Sequence, residues 1–125
     1  MPVNIEDTTL SDSVYTRTEG NTEYSWDAPT LVEYVKEKKY KVFKLPISGI
    51  SLSKLMFSIP NMLKFADHVK RVQSTDLKYP IILDDLGTIC DGWHRVIKAL
   101  LEGREYIDAI RIKEMPEASG YRSLN

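Results

Sequence analysis

The chain has 125 residues, about one domain's worth, and its 42% apolar and 28% charged content is ordinary globular usage that excludes a wholly disordered chain. Seventeen basic against eighteen acidic residues leave a formal charge of −1, which excludes a polyanion-coating protein with a strong global positive field but not a local basic patch. One cysteine excludes an internal disulfide and a cysteine-rich zinc site, and no apolar run approaches the roughly 18 residues of a membrane helix.

Residues 1–12 are polar and rich in Asp, Thr and Ser, without the basic and apolar regions of a signal peptide. They are expected to form a flexible terminus on a cytoplasmic protein that makes no membrane contact. Residues 13–18 and 23–26 carry β-branched and aromatic side chains around the turn residues Glu19–Thr22, and predict a β-hairpin with Tyr15 and Tyr24 paired across it. Asp27 and Pro29 open a helix with Leu31, Val32 and Val35 at helical spacing. Residues 13–39 are thus an N-terminal decoration on a core at 40–113.

Within that core, residues 41–47 alternate and predict a strand with Pro46 near its end. A short helix is expected over 51–58, then a longer one capped by Asn61 that buries Met62, Phe65, Val69 and Val72. Lys64, His68 and Arg71 fall on its other face, at a spacing that lets them share one side and complete an anion pocket. Tyr79–Leu83 and Thr88–Cys90 predict two strands about an Asp84–Gly87 turn. Asp91 is a cap candidate for a helix over 92–102 that ends at Gly103, and residues 106–112 alternate as a final strand. From Glu114 the chain is polar, and residues 114–125 are expected to be a frayed tail. The class is α+β, a single domain with a small mixed sheet and flanking helices.

The stretch that carries chemistry is Cys90-Asp-Gly-Trp-His-Arg95, at a strand-to-helix junction. A helix N-terminus presents unpaired N–H groups and partial positive charge. Gly92 admits a ligand close to that backbone, Arg95 supplies a planar donor fork, and His94 a switchable donor, together an oxyanion or phosphate site. Asp91 caps the helix, coordinates Mg²⁺ or orients His94. As a catalytic set this gives Asp91, His94 and Arg95. The phosphate-binding set read from these residues is Gly92, His94 and Arg95, joined by Lys64, His68 and Arg71.

Pro80–Leu83, Gly87, Asp91–Arg95, Ala99, Gly103 and Ile107–Ile112, with Lys41–Ile47 as a first strand, resemble the core of the ParB/sulfiredoxin-like superfamily. The Asp-Gly-Trp-His-Arg box is one substitution from the Asp-Gly-His-His-Arg of its free-serine kinase branch. The resemblance implies that Gly92–Arg95 contact the phosphates of ATP, ADP or CTP, with NTP hydrolysis or phosphoryl transfer to a small molecule as the consequence. Sulfiredoxin activity is disfavoured, because Trp93 stands where that branch has a cysteine and Cys90 reads as a buried, inert thiol. The glutamate that the serine kinases carry after the first strand has no counterpart between Lys44 and Met62. The alternative is a non-catalytic ParB-like module of a phage or mobile element that binds DNA or a host protein, with homodimerisation open in either case.

Overall fold

The computed structural model describes residues 14–125, so the expectation for residues 1–12 lies outside the described residues. Among the described residues, three α-helices and two sheets, of three and four strands, make an α+β domain with an N-terminal hairpin. β1 (Val14–Glu19) and β2 (Thr22–Asp27) join through Gly20 and Asn21. That two-residue turn sets the register, which places Tyr15 opposite Trp26 and Arg17 opposite Tyr24. The expected Tyr15–Tyr24 pair is therefore corrected. Tyr15 meets Trp26, with ring centroids 5.8 Å apart.

Asp27 ends β2 and caps α1 (Ala28–Lys38), its carboxylate accepting the Thr30 N–H at 2.9 Å. β3 (Phe43–Pro46) follows, with Pro46 as its last residue. The helix expected over 51–58 does not form; only Ile47–Gly49 makes a single 3₁₀ turn. Serines at 51, 53 and 58 compete for backbone hydrogen bonds, and Pro60 cuts the segment off. α2 (Met62–Ser74) starts where Asn61 accepts the Lys64 N–H at 2.9 Å. Its rotation departs from the expected one. Val72 is buried, whereas Met62, Phe65 and Val69 are exposed. The side carrying Lys64, His68, Arg71 and Val72 is the one turned to the protein.

β4 (Ile81–Leu83), β5 (Ile89–Asp91), α3 (Trp93–Leu101) and β6 (Tyr106–Arg111) complete the core. The larger sheet has the order β3-β6-β4-β5; β4 and β6 run parallel and the other pairs antiparallel. Period-2 alternation divides its two buried faces. Ile81, Leu83, Ile107 and Ala109 meet Val96 and Ala99 of α3. Ile82 and Ile110, with Ile112 just beyond β6, meet Trp26 and the Leu31, Val32 and Val35 stripe of α1. Each fully buried aliphatic side chain here contributes roughly 1.5–3 kcal/mol.

Residues 114–125 are not a frayed tail. β7 (Gly120–Ser123) pairs with β2 and closes the three-stranded sheet. Trp26 Nε1 donates to the Pro116 carbonyl at 2.8 Å, and Tyr34 donates to that of Glu114 at 2.6 Å, so the segment is tied down by aromatic donors far back in the chain.

Candidate anion-binding site

α3 leaves β5 through Gly92, whose φ of +113° only glycine adopts cheaply. Asp91, expected as the cap, is a β5 residue. Gly92 occupies the cap position, and no side chain caps the helix. The other end closes with a Schellman motif, Gly103 N–H to Leu100 O at 3.1 Å and Arg104 N–H to Ala99 O at 3.0 Å. A side chain at Gly92 would put its Cβ 2.5 Å from Ile81 Cγ2 and 2.9 Å from Arg95 Nη2. Glycine is required here by packing, and the expected ligand approach on that side of the backbone is filled by protein.

Arg95 is corrected in the same way. It is 1% exposed, its Nη2 donates to Asp91 Oδ2 at 2.8 Å, and its Nη1 donates to the Pro80 carbonyl at 3.0 Å and the Tyr79 carbonyl at 3.3 Å. The guanidinium joins the start of α3 to the strands beneath it. Asp91 is 3% exposed and is bound to Arg95, not to His94. Burial pushes its carboxyl up, and the adjoining guanidinium pulls it back. Asp91 is not positioned as a Mg²⁺ ligand, and no cluster of three potential metal-binding side chains occurs among the described residues.

His94 turns instead to α2. Its Nε2 lies 2.9 Å from Nδ1 of His68, and Phe57 stacks on both imidazoles, with centroids 4.4 Å from His94 and 4.5 Å from His68. Burial, then the neighbouring His68, Arg71 and Arg95, push His94 down to about 4, so it is neutral at pH 7. Around this pair opens a cleft of about 320 Å³. Lys64, His68 and Arg71 line it from α2, Gly92, Trp93 and His94 from the first turn of α3, and Met56, Phe57 and Ser58 from the preceding loop. Arg71 lies 3.5 Å from Asp67 on its own helix. Lys98 lies outside the cleft; its Nζ donates to the Thr75 and Gln73 carbonyls, at 2.6 and 3.3 Å, and ties the end of α2 to α3.

No family model, curated protein or solved structure matches this chain.

The cleft gathers Lys64, His68, Arg71, Trp93 and His94 as the sequence expects; Arg95 and Asp91 also reach its wall, but there they are committed to each other. What sequence reasoning missed is Phe57. Its segment was expected to be helical, and nothing local marks an aromatic that will stack on two histidines 11 and 37 positions later. Cys90 is a free, partly buried cysteine. Burial raises its thiol well above the usual range, and its Sγ donates to the Ile82 carbonyl at 3.3 Å.

Proposed function

We propose that this cleft binds the phosphate groups of a nucleotide, ATP, ADP or CTP, as the likeness to the ParB/sulfiredoxin-like superfamily implies. The observation that carries the reading is the convergence of Lys64, His68 and Arg71 with His94 at the uncapped N-terminus of α3. The element order from β3 through α2, β4, β5 and α3 to β6 supports it as well. Lys64 and Arg71 hold phosphate oxygens, and the amides at the start of α3 add donors. Mg²⁺ enters on the phosphates of the nucleotide, since Asp91 is engaged by Arg95. His94, neutral at pH 7, accepts the proton of a water or hydroxyl acceptor in NTP hydrolysis or phosphoryl transfer to a small molecule, and His68 is its hydrogen-bonded relay. A cytoplasmic setting, where nucleotides are abundant and a lone thiol stays reduced, belongs to the same proposal.

Calorimetric titration with ATP, ADP and CTP, with and without Mg²⁺, tests it. Saturable binding to one of them, weakened at least tenfold in Arg71→Ala and Lys64→Ala with the fold intact, supports the site. No binding by the folded protein overturns it. One observation favours a second reading, a non-catalytic module that binds nucleotide, DNA or a protein. Asp91, the one acidic side chain among the described residues lining the cleft, is committed to Arg95, so the cleft offers no carboxylate base. Tight binding without turnover selects that reading.

A further inference from the structure

The described residues that line the cleft bring Lys64, Arg71 and Arg95 against one carboxylate, Asp91, which Arg95 takes. Asp67, 3.5 Å from Arg71, is partly exposed and does not line the cleft. The α2 wall therefore carries surplus positive charge. Another part of the wall is Val14, the first residue of β1, which is 60% exposed. The chain thus enters β1 at the cleft itself, and residues 1–13 are joined to it there. They contain Glu6, Asp7 and Asp12 and no lysine, arginine or histidine. We infer that this acidic segment docks in the cleft of its own chain and competes there with the phosphates of a nucleotide. The competition, though not the docking, rests on the nucleotide reading above.

Three observations commit the cleft to this occupant. The first is where the segment is tied. Val14 and Lys64 line the same cleft of about 320 Å³, near the lower end of the range for ligand pockets. The second is reach. Asp12 precedes Val14 by two residues and Glu6 by eight, which at full extension spans about 7 Å and about 28 Å. All three carboxylates can therefore meet the cations of α2. The third is charge. The segment brings only negative side-chain charge to a wall whose surplus is positive. A short tether sets an effective concentration on the order of millimolar, so ion pairs too weak to hold two separate molecules still fill the cleft. The phosphates of a nucleotide seek the same Lys64 and Arg71, so the two occupants exclude one another.

Carbodiimide coupling of the full chain tests the docking with no nucleotide present. The reagent joins a carboxylate to an amine in direct contact, and mass spectrometry of the digest identifies the pair. The expected link joins Lys64 to Glu6, Asp7 or Asp12 within one chain at low salt, and is lost in salt of about 0.5 M, where exposed ion pairs are screened. The Lys44–Asp108 ion pair is the internal control at low salt. A control link without any Lys64 link to the segment overturns the docking, as does a Lys64 link found only in covalent dimers. Calorimetry then compares ATP binding by the full chain and by its Glu6→Gln, Asp7→Asn, Asp12→Asn triple variant. Binding at least fivefold tighter in the variant is expected, which corresponds to a cleft filled by the segment about four-fifths of the time. Glu33→Gln, Glu37→Gln and Glu102→Gln together remove as many charges from exposed sites elsewhere and leave the affinity unchanged. An equal gain in both triple variants, or no gain in the first, overturns the competition. If neither the chain nor the variant binds ATP, ADP or CTP, the nucleotide reading and the competition fail together, and the crosslink alone decides the docking.

Discussion

Two buried carboxylates, each bound to an arginine, behave in opposite ways. Asp84 is fully buried and Asp91 almost so. Arg17 Nη2 reaches Asp84 at 2.7 Å, and Arg95 Nη2 reaches Asp91 at 2.8 Å. Burial works against the charge of both. At Asp84 it is outweighed by hydrogen bonds from Tyr15, the Thr88 amide, Arg17 and the Leu86 amide, which hold the carboxyl below its usual range. At Asp91 only the Arg95 guanidinium opposes it, and the carboxyl stays raised. The difference teaches that the number of donors on the carboxylate, more than the presence of an arginine, decides whether a buried charge is comfortable. The pairs also differ in reach. Arg95–Asp91 is an i, i+4 pair inside one junction, whereas Arg17–Asp84 ties the N-terminal hairpin to the β4–β5 turn across 67 positions.

The comparison is broken most strongly at Arg95. Arg95→Ala leaves Asp91 buried with no cation, and urea denaturation is expected to show a loss of about 3–5 kcal/mol. A loss below about 1 kcal/mol would mean the guanidinium belongs to the cleft after all. Gly92→Ala, which drives a methyl into Ile81 and strains a positive φ, is expected to cost about 2–4 kcal/mol by the same measurement. Arg17→Ala should cost less, about 1–2 kcal/mol, because Asp84 keeps its two amide donors and Tyr15. Equal losses at Arg17 and Arg95 would contradict the donor-count explanation.

The smallest effect is a pH dependence. His94 sits near 4 in the fold and near 6.5 when unfolded. The unfolded chain therefore binds the extra proton first, and stability falls as pH drops from about 6.5 to 4, by roughly 1–2 kcal/mol once its partial exposure is allowed for. His94→Gln should flatten the urea midpoint across that window. The contribution of Asp84 is complete above about 4 and is lost only below that, as pH falls through its lowered folded value, so the two are separable.

Much of the β4-to-β6 core is legible in the sequence because its signals are local. The Gly103 stop, the Asp84–Gly87 turn and the Asn61 cap each act within a few residues. The box at Asp91–Arg95 is equally visible as a unit, but its internal division of labour is not. The i, i+4 spacing of Asp91 and Arg95 allows a pair, and only the burial of both shows that the pair is made inside the protein. The rotation of α2 was misread for a related reason. An apolar stripe identifies a face that seeks cover, and without a second helix in place it does not say which partner provides it. β7 escaped notice because its strand signal is four residues long and its support comes from Trp26 and Tyr34.

By itself, then, the sequence determined the Asp27 and Asn61 caps, the turns and the alternating strands of the core, since each depends on neighbours that the backbone brings together automatically. The tertiary structure alone decided that Arg95 is a strut, that His94 answers to His68 and Phe57, and that the stripe on α2 faces outward. Those outcomes turn on desolvation and on partners between 11 and 37 positions away, and neither is written in local spacing.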